Sequence, residues 1–186
     1  MRNAFLAILA LLCLGSVSFA QSQNYYWSDG EKITLNEDQS SIVIHFNDQM
    51  TPSRFTPPAT GKAALFANHQ RGIVQYDQPK KLNAPQLIRE LGVSEASVRS
   101  ISYGWTLNDG FPVWMTHEVV VKLRPGSDLG TIRAMMADYQ ATFLRRDFET
   151  YVLDVADINQ VLPLANALQE SGLVAWATPD MYAEVT

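Results

Sequence analysis

The sequence predicts an α+β protein whose C-terminal part, residues 116–180, is a ferredoxin-like βαββαβ unit. Short β-branched runs alternate there with two stretches in which apolar residues recur every three or four positions. Turn residues separate these segments. In the βαββαβ order, two helices pack on one face of a four-stranded antiparallel sheet and leave the other face uncovered. A smaller α+β lobe, residues 21–115, is expected to precede this unit.

The first strand and helix of the unit are predicted within residues 117–139. Residues 117–123 are β-branched and apolar, and they end at the turn signal Arg124-Pro125-Gly126. Ser127 or Asp128 can cap the helix that follows. Its apolar stripe predicts a surface that faces the core rather than a cofactor, and consists of Leu129, Ile132, Met135, Met136 and Tyr139.

The other three strands are short. Residues 142–146 and 150–155 are close enough to pair through a turn at Asp147. The last strand, residues 173–180, is predicted to alternate between the two faces of the sheet. Leu173, Ala175 and Ala177 fall on one face, and Val174, Trp176 and Thr178 on the other. We expect Val174 and Trp176 to lie on the uncovered face, which then needs a partner or solvent-tolerant neighbours.

The second helix of the unit is predicted between Asp157, its cap, and the stop signal Ser171-Gly172. Its apolar face consists of Ile158, Val161, Leu162, Ala165 and Leu168. Pro163 removes a backbone donor, so we expect the helix to start late or to kink there.

The N-terminal lobe is less regular, and its order of strands and helices faintly repeats that of the C-terminal unit. The predicted elements are a hairpin around Ser28-Asp29-Gly30 within residues 24–35, strands at 41–46, 72–76 and 98–105, and helices at 61–69 and 85–91. The proline-rich stretch 50–61 is expected to be a loop.

Residues 1–20 are typical of a secretory signal peptide. Arg2 precedes an apolar run of residues 4–14, and Ser18-Phe19-Ala20 places small residues at the positions that signal peptidases prefer. The run is shorter than the roughly 20 residues that cross a bilayer. We therefore expect a secreted or periplasmic protein, cleaved near Ala20-Gln21, that does not associate with membranes.

Composition excludes several classes of function for the mature chain. Cys13, the single cysteine, leaves with the signal peptide, so disulfides, thiolate catalysis and cysteine-bound zinc are excluded. Arg2 leaves too, so 13 basic residues face 19 acidic ones, a net charge of −6. This charge disfavours nucleic acid as a partner. His45, His69 and His117 share no ligand spacing, so we expect no metal and no cofactor.

Motifs of enzymes are incomplete, so we expect no catalytic activity. His117-Glu118 begins like a zinc-protease helix but lacks the second histidine four residues on. Residues 92–96, Gly-Val-Ser-Glu-Ala, miss the last glycine of a nucleophile elbow. The many acidic residues leave carboxylate-pair catalysis neither supported nor excluded. The four tryptophans suit packing better than stacking on a sugar or peptide: Trp27, Trp105, Trp114 and Trp176.

Three runs carry a resemblance to a known family. They are residues 118–126 (Glu-Val-Val-Val-Lys-Leu-Arg-Pro-Gly), residues 151–155 (Tyr-Val-Leu-Asp-Val) and residues 164–180, which end in Trp-Ala-Thr-Pro-Asp. Together they resemble the N-terminal propeptide of subtilisin-like serine proteases, the inhibitor I9-like domain. Residues 25–33 are similar to the start of the longer propeptides of secreted bacterial subtilases.

The resemblance implies how such a chain would act. Propeptides of this family lay the uncovered sheet face on the protease, place the C-terminal tail in its active cleft, assist its folding and then inhibit it. Asp180 matches an acid that caps helix N-termini of the protease, whereas Thr178 stands where a second acid is often found. Thr186 would occupy the first specificity pocket and Ala183 the fourth. The implied protease-binding residues are Val174, Trp176, Thr178, Asp180, Tyr182, Ala183, Glu184, Val185 and Thr186.

Three hypotheses follow, because no protease domain succeeds the tail, residues 181–186, in this chain. The first is a secreted inhibitor or folding helper of a subtilisin-like serine protease, for which the tail is essential. The second is a binding module that keeps the propeptide fold and binds a protein partner elsewhere on its surface. The third is a small hydrolase with paired carboxylates in a concave pocket.

Overall fold

A computed structural model describes residues 24–47, 61–65 and 70–183 of the chain. The predicted signal peptide and the tail residues Glu184, Val185 and Thr186 lie outside these ranges. The strands are β1 (Tyr25–Ser28), β2 (Glu31–Thr34), β3 (Asn36–Phe46), β4 (Lys62–Leu65), β5 (Arg71–Gln75), β6 (Val98–Thr106), β7 (Pro112–Leu123), β8 (Ala141–Asp147), β9 (Thr150–Val155) and β10 (Val174–Tyr182). The helices in the described ranges are α1 (Ala84–Leu91), α2 (Arg133–Asp138) and α3 (Val161–Ser171).

The fold is α+β, as predicted, and its strand pairs are antiparallel. One eight-stranded sheet runs in the order β4-β5-β3-β6-β7-β9-β8, with β10 paired to β7. The C-terminal strands therefore lie in the order β10-β7-β9-β8. Strands β1 and β2 form a separate hairpin through Asp29 and Gly30, which both adopt positive φ, as the predicted turn requires.

Strand β7 belongs to both halves of the chain. Its first residues pair with β6, at Thr106 opposite Pro112, and its later residues pair with β9 and β10. The predicted boundary between residues 115 and 116 thus falls inside a strand. Leu35 from the N-terminal half is also buried in the C-terminal core. The two halves share a strand and part of a core.

The main core lies between the C-terminal strands and helices α2 and α3. Val119 and Val121 of β7 alternate with more exposed residues and meet Leu164 and Leu168 of α3. Helix α3 starts late, after a 3₁₀ turn at Ile158–Gln160. Pro163 therefore lies in its first turn, where a missing N–H breaks no helical hydrogen bond.

A second core lies in the N-terminal half, under α1. The Asn83 side chain accepts a hydrogen bond from the Gln86 backbone N–H, and Gly92 ends the helix in the left-handed conformation. Ile44 and Val74 of the sheet pack against Leu87 and Leu91 of the helix. This helix was predicted at residues 85–91.

The helix predicted at residues 61–69 is wrong in its described part. Lys62–Leu65 form strand β4, which pairs with β5, and residues 66–69 lie outside the described ranges. Alanine-rich sequence favours a helix locally, but pairing with β5 overrides that preference. In the described ranges, no helix is both long enough and apolar enough to cross a bilayer.

Candidate functional site

The face of the C-terminal strands opposite α2 and α3 is the first candidate surface. In β10, Trp176 lies opposite Lys122 and Thr178 opposite Val120, and these four side chains are on the same side of the sheet. The side chain of Trp176 keeps 37% of its surface exposed. We call Val120, Lys122, Trp176 and Thr178 the uncovered face.

The prediction that Val174 lies on this face is wrong. Val174 is only 2% exposed and packs in the main core together with Ala177. The cause is a register shift between Val174 and Trp176, which breaks the strict alternation of side chains. Because of this irregularity, Val174 and Ala177 share the helix-covered side although three positions separate them.

Charged side chains flank the uncovered face. The Lys122 Nζ atom lies 2.6 Å from a Glu149 carboxylate oxygen, and Arg145 lies 2.9 Å from Glu118. Phe148, at the tip of the β8–β9 hairpin, is 98% exposed. The face therefore offers a small apolar centre with ion pairs around it, which suits contact with a protein better than burial in a core.

Asp180 is half-buried rather than free. Its carboxylate accepts a hydrogen bond of 3.0 Å from the Thr116 hydroxyl. Burial raises the pKa of the Asp180 carboxyl above its usual value, and Glu118 adds to the effect, whereas the Thr116 hydrogen bond and Arg71 oppose it. To cap a helix of a partner, this carboxylate would exchange its bond to Thr116 for the partner's backbone donors.

Tyr182 fixes the end of β10 on the N-terminal strands. Its ring lies 6.0 Å from the Trp114 ring, beside Val43 and Ile73, and the Arg71 guanidinium lies 5.0 Å from its centroid. Burial raises the pKa of the Tyr182 hydroxyl. Strand β10 thus extends two residues beyond the predicted Asp180, and Met181 and Tyr182 belong to the sheet rather than to a tail.

The outer edge of β10 is partly blocked against further strands. The Ala177 N–H donates to the Gln169 Oε1 atom at 2.8 Å, and Pro179 has no N–H to offer. A cavity of about 460 Å³ lies beside this edge, and Trp27 and Trp176 line it. Of the four tryptophans, Trp114 is buried as core packing predicts.

A second candidate site lies where the N-terminal strands meet β7. His45 of β3 and His117 of β7 lie edge to face, with ring centroids 5.0 Å apart. The His45 Nε2 atom lies 3.1 Å from the Met115 carbonyl oxygen, and the His117 Nδ1 atom lies 2.7 Å from the Val155 carbonyl oxygen. The His117 Nε2 atom lies 2.7 Å from the Ser100 Oγ atom.

Carbonyl oxygens only accept hydrogen bonds, so these contacts assign the tautomers of both rings. Neutral His45 carries its proton on Nε2, and neutral His117 carries its proton on Nδ1. Burial is the main reason that the pKa of His45 falls to about 3 and that the pKa of His117 is also lowered. The positive charge of Arg99 disfavours a further proton on either ring.

An open cavity of about 360 Å³ adjoins the histidine pair. Its charged lining residues are Arg71, Arg99, Glu118 and Asp154, and both histidines line it as well. Arg99 binds Asp154 at 2.8 Å and also reaches the Val155 carbonyl oxygen. In the part of the chain that the structure describes, no group of three or more His, Cys, Asp or Glu side chains could hold a metal ion.

No protein-family model, curated protein or solved structure matches this chain. The geometry of the two candidate sites therefore carries the functional argument. Sequence reasoning identified Trp176, Thr178 and Asp180 but missed the cluster of His45, Ser100 and His117. These three residues come from three strands, and no local motif joins them.

Proposed function

We propose that this chain is a secreted or periplasmic protein similar to a subtilase propeptide, which binds and inhibits a subtilisin-like serine protease. The observation that carries the proposal is the C-terminal strand order β10-β7-β9-β8 with α2 and α3 on one face. This order is compatible with a ferredoxin-like βαββαβ unit, which supports the proposal, and the runs that resemble the propeptides lie in β7, β9, α3 and β10.

Binding would use the uncovered face together with the segment that follows β10. Trp176 supplies an exposed aromatic anchor on the edge strand of that face. Backbone hydrogen bonds between an extended tail and the protease cleft would add affinity, and the side chains of Glu184, Val185 and Thr186 would add selectivity. Ala183, which the resemblance assigns to the fourth specificity pocket, packs against the main core in this structure and would have to leave it to reach the cleft. Because Tyr182 is anchored on Trp114, the tail starts from a fixed point.

The test compares three forms of the chain from Gln21 onward against a panel of subtilisin-like proteases. One is intact, one ends at Tyr182, and one carries Trp176→Ala. Ending the chain at Tyr182 leaves β10 whole, so loss of inhibition would belong to the tail. We expect inhibition by the intact chain, none without the tail, and an inhibition constant at least about tenfold weaker for W176A.

Phe148→Ala is the matched control, since Phe148 is exposed but lies at the hairpin tip. Inhibition by the intact chain that persists without residues 183–186 would contradict the tail mechanism. Absence of inhibition across the panel by a folded and uncleaved chain would reject the proposal for those proteases.

A second candidate is a binding module that does not inhibit. The observation that favours it is the engagement of Asp180 by Thr116 and of Tyr182 by Trp114, which uses the base of the tail for internal contacts. It predicts that a protease or other protein partner binds equally well with and without residues 183–186 and stays active. Binding measured by calorimetry separates this candidate from the inhibitor.

A further inference from the structure

Ser100 of β6 and His117 of β7 have the arrangement of a serine nucleophile and its base. The Ser100 hydroxyl lies 2.7 Å from His117 Nε2, and His117 Nδ1 lies 2.7 Å from the Val155 carbonyl oxygen. Since Nδ1 of neutral His117 must carry the proton, Nε2 presents a lone pair. The Ser100 hydroxyl therefore donates its proton toward the ring, which is the direction that nucleophilic catalysis requires.

We propose that Ser100 and His117 form a nucleophile–base pair that hydrolyses small carboxylic esters. The Val155 carbonyl orients the His117 ring, a task that a carboxylate performs in the serine hydrolases with a triad. This activity is independent of protease binding through the uncovered face.

The adjoining cavity reaches the histidine of the pair. Ser100 is partly exposed, and its neighbours Arg99, His45 and His117 all line the cavity of about 360 Å³. His45 lies directly opposite Ser100 across the β3–β6 ladder. A small substrate held in this cavity would contact His117, which is the hydrogen-bond partner of Ser100.

His117 is in the neutral form that a general base requires. Burial lowers the pKa of His117, so the ring is neutral at neutral pH and its Nε2 lone pair is available to the Ser100 hydroxyl. The positive charge of Arg99 and the negative charges of Asp154 and Asp157 act on it in opposite directions. Arg71 and Glu118 also line the cavity and carry one charge of each sign.

The cavity favours an ester that carries a negative charge. Arg99 and Glu118 have ion-pair partners in Asp154 and Arg145, whereas Arg71 lies over the Tyr182 ring. The Arg71 guanidinium thus keeps donors for an anionic group of a ligand. Uncharged esters would lack this contact.

The chemical step balances with water as the second reactant. The Ser100 Oγ atom bonds to the acyl carbon while its proton moves to His117 Nε2. The bond from the acyl carbon to the alcohol oxygen then breaks, and the alcohol leaves with that proton. Water attacks the acyl-serine and gives a proton to His117, the bond from the acyl carbon to Ser100 Oγ breaks, and His117 returns the proton to that oxygen as the carboxylic acid leaves.

A fluorophosphonate probe tests the nucleophile directly. It forms a stable bond to an activated serine, so intact mass spectrometry of the mature chain should show one adduct, and peptide mapping should place it on Ser100. Ser102→Ala is the matched control, because Ser102 lies two residues along the same strand and its hydroxyl has no hydrogen-bond partner among the described residues. Labelling should persist in S102A and disappear in Ser100→Ala.

Hydrolysis of 4-nitrophenyl hemisuccinate, an anionic ester, tests turnover. We expect His117→Gln to slow it by about 100-fold or more, which is the usual contribution of a general base. The anionic ester should also react faster than 4-nitrophenyl acetate at low salt. A folded wild-type chain without an adduct on Ser100, or with equal turnover in S100A, would overturn the proposal. A preference for the neutral ester would overturn the assigned role of Arg71.

Discussion

His45 and His117 lie edge to face, 5.0 Å apart, and their neutral rings carry the proton on opposite nitrogens. His45 donates a hydrogen bond to the Met115 carbonyl oxygen, and His117 donates one to the Val155 carbonyl oxygen. The pair therefore links β3 of the N-terminal half to β7 and β9 of the C-terminal half. Both rings are buried, so protonation of either would place a positively charged imidazolium in a poorly solvated region.

The first prediction is that acid destabilises the protein through these histidines. The pKa of His45 is about 3 in the folded state, against an ordinary value of 6.5, and that of His117 is also lowered. The unfolded chain therefore binds more protons once the pH falls below 6.5. The free energy of unfolding should decrease as the pH falls from 6.5 toward 3, by up to about 1.4 kcal/mol per pH unit for each fully suppressed histidine.

Asp180 changes the free energy of unfolding in the opposite direction as the pH falls. Its pKa is raised, so the folded state holds its proton more firmly and gains some stability as the pH falls through that raised value. Two histidines with lowered pKa values act against one carboxyl group with a raised pKa, so we expect the histidines to set the direction of the pH dependence. Urea unfolding at several pH values between 7.5 and 4.5 measures the balance, and His45→Gln should flatten the curve. Constant stability over this range would contradict the assignment of two neutral buried rings.

The second prediction concerns the anchor of β10. Tyr182→Ala removes a partly buried ring from Trp114, Val43 and Ile73, and we expect a loss of about 2–3 kcal/mol of unfolding free energy. Phe148→Ala removes a ring that is 98% exposed and should change stability by less than about 0.5 kcal/mol. Denaturant unfolding of both variants provides the comparison. Equal effects of the two substitutions would show that Tyr182 is not packed as described.

Periodicity in the sequence was sufficient to predict most of the C-terminal elements. The run of 117–123 lies in β7, and the stripe of α3 faces the core with Leu162, Ala165 and Leu168. Alternation failed at Val174, because the register shift in β10 depends on pairing with β7 and leaves no mark in the local sequence. The helix expected at 61–69 failed for a related reason, since long-range pairing decides the conformation of Lys62–Leu65.

The sequence also predicts the candidate sites only where their residues are close together along the chain. Trp176 and Asp180 could be predicted as site residues because both lie in one strand, within a run that resembles a known family. Ser100 and His117 are 17 residues apart and meet because β6 and β7 are neighbouring antiparallel strands. A chemical pair assembled across strands has no spacing that a sequence motif can record.

The third prediction concerns the edge of β10. Gln169→Ala removes the side chain that accepts the Ala177 N–H, and this backbone donor then faces solvent or a neighbouring chain. We expect faster hydrogen exchange at Ala177 and a loss of about 1 kcal/mol. Gln86→Ala, on α1, is a control for removing a glutamine from a helix. Unchanged exchange at Ala177 in Q169A would mean that Gln169 does not protect this edge.

The final prediction tests which face of the C-terminal strands is covered. Val121 is fully buried against α3, whereas its neighbour Val120 lies opposite Thr178 on the uncovered face. Val121→Ala should cost about 2–3 kcal/mol, because it leaves a cavity in a closely packed core. Val120→Ala makes the same chemical change on a partly exposed surface and should cost less than about 1 kcal/mol. Since both valines occupy the same strand, β propensity cancels in the comparison, and the difference reports burial alone. A larger loss for V120A would place the helices on the other side of the sheet and remove the surface on which protease binding is proposed.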